Sequence, residues 1–153
     1  MLKSEAYENA LAELQSRLCR ERDMTADLAN AAAVLYEHMA DVNWLGFYIY
    51  RKPQLVLGPF QGRAAVTRIE VGSGVCGTAY ERNETVVVED VHRFPGHIAC
   101  DLRSHSEIVV PLRHEGRTVG VLDADSPVLS RFDSTDKNYL EKAAELLGSS
   151  FDI

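Results

Sequence analysis

The feature that most constrains the fold is a change of periodicity along the chain, with helical patterns at both ends and strand patterns between them. Apolar residues recur at helical spacing in the first stretch, which Ser4 is expected to cap, and again from about Met24 to Met39. From Asn43 the pattern becomes β-rich, and helical spacing returns after Asp133 or Ser134, either of which can cap a last helix. This order of elements predicts an α+β domain.

The strands are predicted from alternating or continuous apolar runs between turn residues. They cover Trp44 to Tyr50, Gln54 to Leu57, Val66 to Val71, Glu84 to Glu89 (as a buried strand), Glu107 to Arg113 and Arg117 to Asp123. Gly58-Pro59 is expected to interrupt the second strand, and a short helix is expected at about Val75 to Arg82. Short connections predict a mainly antiparallel sheet with the terminal helices on one face. The irregular stretch from Asp90 to Ser104 is then available to cover the other face.

Composition narrows the class of protein. The 153 residues correspond to one domain, over residues 1–153, and the formal charge of −7 disfavours nucleic acid and anionic membranes as partners. No apolar stretch is long enough to span a bilayer, and no secretory signal is recognisable, so a cytoplasmic location is expected. Three cysteines, Cys19, Cys76 and Cys100, are too few for a secreted disulfide framework. For Cys19, in the first predicted helix, a structural role or none is expected.

Two cysteines are candidates for redox chemistry. Cys76 lies at a turn entering the short helix, where free N–H groups favour a thiolate, although a free cysteine in such a pattern is more commonly a small buried apolar residue. Cys100 lies on the long loop near His97, whose imidazolium would lower the thiol pKa, whereas the adjacent Asp101 would raise it. The spacing of His92, His97 and Cys100 matches no usual zinc pattern, so no metal site is predicted.

Carboxylates and aromatic side chains supply the remaining candidates. Asp123 and Asp125 are two residues apart, so in an extended chain they point to one side, and Glu107 begins the partner strand. These three carboxylates could bind an ammonium group or donate a proton, but the two aspartates could equally begin a solvated turn. Trp44 and Tyr48 are expected on one strand face, as core residues or as an aromatic wall.

Six sequence blocks in a fixed order identify a family resemblance. The blocks are Trp44-Leu45-Gly46-Phe47-Tyr48, Leu57-Gly58-Pro59-Phe60-Gln61-Gly62, Gly74-Val75-Cys76-Gly77-Thr78-Ala79, Gly96-His97-Ile98-Ala99-Cys100-Asp101, Ser106-Glu107-Ile108-Val109 and Gly120-Val121-Leu122-Asp123-Ala124-Asp125-Ser126. With them the chain resembles the free methionine-(R)-sulfoxide reductases, which are stand-alone GAF-domain enzymes. The resemblance implies a GAF-like six-stranded antiparallel sheet with N- and C-terminal helices on one face and a ligand pocket on the other.

The resemblance also implies an activity and its residues. The activity is reduction of free L-methionine (R)-sulfoxide to methionine, with thioredoxin or another thiol reductant restoring the enzyme, in a homodimer that needs no cofactor. Cys100 falls on the catalytic cysteine, and Cys76 on the cysteine of the Gly-Val-Cys-Gly block. The substrate-binding positions fall on Trp44, Tyr48, Glu107, Asp123 and Asp125. One position departs from the family pattern, because Val66 stands where the usual resolving cysteine would be.

Two other functions remain open on the sequence. A sensory GAF module would bind a small molecule without turning it over, but it usually reports to an output domain, and a single domain is predicted here. A redox sensor would instead use Cys76 and Cys100 to form a regulatory disulfide.

Overall fold

The structure, a computed structural model, describes residues 1–18, 22–96 and 103–151. Helices α1 (Lys3–Arg17) and α2 (Met24–His38) precede the sheet, and α4 (Ser134–Gly148) follows it. The strands are β1 (Trp44–Arg51), β2 (Gln54–Gln61), β3 (Arg68–Glu70), β4 (Val86–Val88), β5 (Ser106–His114) and β6 (Arg117–Ser126). Helix α3 (Gly74–Arg82) lies between β3 and β4, and a 3-10 turn covers Val91–Arg93. The α+β prediction is confirmed.

The six strands form one antiparallel sheet in the order β3-β2-β1-β6-β5-β4. The prediction that Gly58-Pro59 interrupts the second strand is wrong, since β2 continues to Gln61. Gly46 pairs with Phe60 and Tyr48 with Leu57, so the register shifts by one residue at this point. A bulge leaves one residue outside the ladder, and a proline, which has no N–H to contribute, is tolerated there.

Alternation along the strands divides the interior into two apolar cores. On one face, Leu45, Phe47 and Ile49 of β1 pack with residues of α1, α2 and α4. On the other face, Trp44 and Tyr48 pack with apolar residues of α3, β3 and β5. The second face is therefore covered by one short helix and by connecting segments rather than by a helical layer, which leaves it as the place for a pocket.

The helix termini agree with the sequence at one end and differ at the other. Asp133 caps α4 by accepting from the backbone N–H groups of Thr135 and Asp136 at 2.9 and 3.3 Å, as predicted. The predicted cap at Ser4 is wrong, because α1 begins at Lys3 and the backbone N–H of Leu2 donates to the Glu5 carboxylate at 3.3 Å.

Both edge strands are shorter than their sequence patterns suggested. Within the two predicted edge segments, the residues that pair with a neighbouring strand are Arg68–Glu70 and Val86–Val88. Val87 is 39% exposed, so the prediction of a buried strand there is wrong. Its strand lies at the sheet edge with one neighbour, and the apolar run reflects burial of only one face. Among the described residues, no helix is long and apolar enough to cross a membrane.

A buried carboxylate ties the terminal helices together. Asp136, fully buried at the start of α4, accepts from Tyr7 Oη at 2.5 Å, Lys3 Nζ at 2.8 Å and Arg131 Nη1 at 3.0 Å. Burial alone would raise the Asp136 pKa, but these hydrogen bonds and one from the Asp133 N–H outweigh it and lower the pKa. The charged form therefore stabilises the fold above the ordinary aspartate pKa of about 4, and this contribution is lost as pH falls through the lowered value.

We expect Asp136→Asn to lower the free energy of unfolding by about 2–3 kcal/mol at neutral pH, because Lys3 and Arg131 lose their shared buried counter-charge. Urea unfolding monitored by circular dichroism measures this. Glu13→Gln, which removes a partly exposed carboxylate that contacts Arg17 and His38, is the control and should change stability by less than about 0.5 kcal/mol. Equal effects of the two substitutions would contradict the assigned role of Asp136.

Candidate active site

Three carboxylates project from the β5–β6 hairpin onto the second face of the sheet. The strand pairing places Glu107 directly opposite Asp125, with Asp123 two residues further along the same face of β6. The alternative that Asp123 and Asp125 begin a turn is wrong, because β6 extends to Ser126 and holds both within the ladder. All three are buried, with exposed fractions of 4% for Glu107, 0% for Asp123 and 3% for Asp125.

The same register brings the predicted aromatic residues alongside. On the other side of β6, Trp44 of β1 pairs with Asp125 and Gly46 pairs with Asp123. Trp44 stacks on Phe60 at 5.3 Å between ring centroids. A Cβ at Gly46 would lie 2.3 Å from the Phe60 Cβ and 2.8 Å from the Trp44 ring, so glycine is required for this stack.

Cys76, on helix α3, lies against this group of carboxylates. It lies in the first turn of α3 and is 5% exposed. Its Sγ and carboxylate oxygens of Glu107 and Asp123 all lie within 4.8 Å of one another. A cavity of about 10 Å³, enough for roughly one water molecule, lies among these residues. Its lining consists of Ile69, Ser73, Gly74, Val75, Cys76, Glu107 and Asp123.

Burial governs the protonation of this cluster. Desolvation raises the Glu107 pKa well above its ordinary value, and the nearby Asp125 carboxylate raises it further. Desolvation and the charge of Glu107 likewise raise the Asp123 pKa, while interactions with Cys76 and Asp125 partly oppose the rise. Protons are therefore retained in the cluster under conditions in which exposed carboxyls have lost theirs, so it can act as an acid.

The polar ends of the two aromatic residues hold the segment between β2 and β3. Trp44 Nε1 donates to the Arg63 carbonyl at 2.9 Å, and Tyr48 Oη donates to the Val66 carbonyl at 2.8 Å. Both rings are fully buried and lie on one strand face, as predicted, with centroids 6.1 Å apart. The two rings thus form part of the second face of the sheet, and their hydrogen bonds hold residues 62–67 beside it.

The remaining predicted site residues divide into those the structure places and those it does not. Cys100, His97 and Cys19 lie outside the described residues. His92 is exposed and contacts Asp90 through Nδ1 at 3.1 Å. Val66 is half-buried against the same apolar cluster as Cys76.

Sequence reasoning missed three residues beside the cluster. Ile69 and Ser73 line the cavity but belong to a short edge strand and a turn, whose patterns carry little signal. Asn43 precedes β1, where its backbone N–H donates to the Asp125 carbonyl at 3.0 Å and its side-chain amide nitrogen is buried. Only the strand pairing reveals its position.

The fold and the pocket face define the class of protein. The GAF domain family model matches residues 13–151, and the chain belongs to this family.

Particular relatives narrow the class further. A free methionine-R-sulfoxide reductase of Escherichia coli is 49% identical over 142 residues, covering 93% of this chain and 86% of the relative. One of Saccharomyces cerevisiae is 42% identical over 156 residues, covering 97% and 87%. The X-ray structure of free methionine-R-sulfoxide reductase from Neisseria meningitidis, in complex with its substrate, is 48% identical with a TM-score of 0.94 and covers 99% of this chain and 91% of that one.

We expect Asp123→Asn to be more stable than the wild type at pH 8. The wild-type carboxyl binds its proton more tightly in the folded chain, so its contribution to stability is complete below the unfolded pKa of about 4 and is lost as pH rises through the folded value. The amide cannot ionise, so its advantage should grow with pH by up to about 1.4 kcal/mol per pH unit.

Urea unfolding of both proteins from pH 3 to pH 8 measures this difference. At pH 3 both side chains are neutral, so this point is an internal control for packing. A difference in unfolding free energy that stays constant across the range would contradict the raised pKa.

Proposed function

We propose that this protein reduces free L-methionine (R)-sulfoxide to methionine with Cys100 as the nucleophile and the Glu107, Asp123 and Asp125 cluster as binding group and acid. The observation that carries the proposal is the set of three buried carboxyls on one sheet face, in a chain about half identical to reductases of that name. Such a cluster supplies protons and negative charge, which the reduction of a zwitterionic sulfoxide requires.

The reaction proceeds in two balanced steps. The Cys100 thiolate forms a bond to the sulfoxide sulfur, two protons pass to the oxygen, and the sulfur–oxygen bond breaks to release water. A water molecule then attacks the Cys100 sulfur, and the methionine sulfur leaves with the bonding electron pair. The substrate is thereby reduced by two electrons, Cys100 is oxidised to a sulfenic acid, and one proton is returned.

The carboxyl group that donates the proton must be protonated, whereas the one that binds the substrate ammonium must be ionised. Glu107 and Asp123 hold their protons to higher pH, because burial raises the pKa of each, so one of them donates to the leaving oxygen. A neighbouring ionised carboxylate pairs with the substrate α-ammonium. A methionine residue inside a peptide lacks that charge, so the site is selective for the free amino acid.

Recycling needs a second thiol. Cys76, which lies within 4.8 Å of the Glu107 and Asp123 carboxylates, condenses with the sulfenic acid, or an external thiol attacks it directly, because Val66 supplies no cysteine. Thioredoxin or another thiol reductant then restores the protein. We further propose that the chain acts as a cytoplasmic homodimer and as a single domain over residues 1–153.

We expect Cys100→Ser to abolish turnover while leaving the unfolding curve unchanged. Turnover is measured as NADPH consumption with thioredoxin and thioredoxin reductase, on free R, free S and peptide-bound sulfoxide. Only the free R form should be reduced by the wild type. Cys19→Ser is the matched control and should retain activity. Normal steady-state activity of the Cys100 variant would refute the assignment, and binding without any product would favour a sensor.

We expect Cys76→Ser to slow recycling but to leave the first turnover intact, because only the return step uses the second thiol. Quantifying methionine released per chain in a single turnover, without reductant, separates the two steps. If release falls as far as in Cys100→Ser, Cys76 is the nucleophile and the assigned roles are reversed.

A further inference from the structure

We propose that Cys76, Glu107 and Asp123 form a binding site for a thiophilic divalent cation such as Zn²⁺, and that occupancy of this site blocks the reductase. The inhibition of the reductase rests on the proposed function, whereas the binding of zinc does not. The three side chains come from α3, β5 and β6, so the fold itself assembles the set.

The donor atoms match what zinc takes. Zinc binds cysteine sulfur at about 2.3 Å and carboxylate oxygen at about 2.0–2.2 Å in tetrahedral geometry, which places donor atoms roughly 3.4–3.6 Å apart. Here one sulfur and two carboxylate oxygens all lie within 4.8 Å of one another. Side-chain rotations that shorten these donor-to-donor distances by about one ångström would bring all three atoms to the zinc. A water molecule would then take the fourth position.

Asp123 provides an independent indication of a ligand. Its side chain is fully buried and lines the cavity, and no backbone N–H, hydroxyl, amide or cationic side chain of the described residues donates to its oxygens, whose neighbours are Glu107, Asp125 and Cys76. Buried carboxyl groups that can hydrogen-bond only through protons held within their own cluster are costly, and a cation is an alternative way to satisfy them. The cavity of about 10 Å³ suits a single ion or a single water molecule.

Charge and chemistry favour this site over a second cluster on the surface. Glu13, Glu37 and His38 also bring their donor atoms within 4.8 Å of one another, but none of the three is buried. They offer no sulfur and remain accessible to water, which competes for the ion. The buried set adds a soft thiolate to carboxylates whose burial a dication offsets.

The ion and the substrate would use the same groups. Zinc bound to Glu107 and Asp123 removes the proton that the reaction requires, since a metal-bound carboxylate is deprotonated. It also fills the space between Cys76 and the hairpin. We therefore expect zinc and methionine sulfoxide to exclude each other.

Binding is tested by calorimetric titration of the reduced, chelator-treated full chain with zinc chloride, and by cobalt substitution, in which a thiolate ligand gives a charge-transfer absorption band. We expect one ion per chain, with affinity at least tenfold weaker and the band lost in Cys76→Ser. Asp123→Asn should weaken binding similarly and serves as a second variant if the first fails to fold. Cys19→Ser and His38→Gln should bind as the wild type does.

The results separate the site from the function. Unchanged binding in both Cys76→Ser and Asp123→Asn, or loss of binding in His38→Gln, would overturn the site. In the reductase assay, zinc should inhibit the wild type, a chelator should restore the rate, and substrate should weaken zinc binding in the calorimeter. An active protein that binds no zinc refutes this inference alone, whereas a protein that binds zinc but shows no reductase activity when metal-free refutes the proposed function alone.

Discussion

Burial of carboxylates on a β-hairpin is the constraint on which the rest of this structure depends. Taking three acidic groups out of water costs free energy that hydrogen bonding within the cluster recovers only in part, and protonation is the usual response. The antiparallel pairing of β5 and β6 enforces the arrangement, since Glu107 and Asp125 are direct partners and cannot move apart without breaking the ladder. The reactivity of the site thus follows from backbone register.

The two cores of the sheet divide stability and chemistry between them. The helical side is dense with apolar side chains and is tied across α1 and α4 by the Asp136 network. The opposite side carries the acidic cluster, Cys76 and the two aromatic rings, and it is covered by helix α3 and connecting segments. A buried polar cluster, which costs free energy, persists because the other face of the same sheet is well packed.

Much of the fold could be predicted because local patterns and tertiary contacts agree. The aromatic, β-rich run at Trp44–Tyr50 and the cap at Asp133 each reflect a short-range preference that packing preserves. The predictions failed where tertiary context decides. The bulge that accommodates Pro59 depends on the register of the partner strand, and the exposure of Val87 depends on its position at the sheet edge.

The candidate site could likewise be predicted from the sequence only in part. Spacing and the predicted hairpin gathered Asp123, Asp125 and Glu107, but only the tertiary structure brings Cys76 and Asn43 beside them. The catalytic assignment of Cys100 and the resolving role of Cys76 stay predictions. The activity itself was accessible from sequence only because several short blocks occur together in order.

The hydrogen bonds from Trp44 and Tyr48 have an evolutionary implication. Both are accepted by main-chain oxygens, at positions 63 and 66, so the anchoring of this segment does not depend on which side chain position 66 carries. Natural variation at that position can therefore exchange valine for a smaller or sulfur-bearing residue while the surrounding architecture is inherited unchanged. A lineage could in this way gain or lose an internal thiol by a single codon change without rebuilding the pocket.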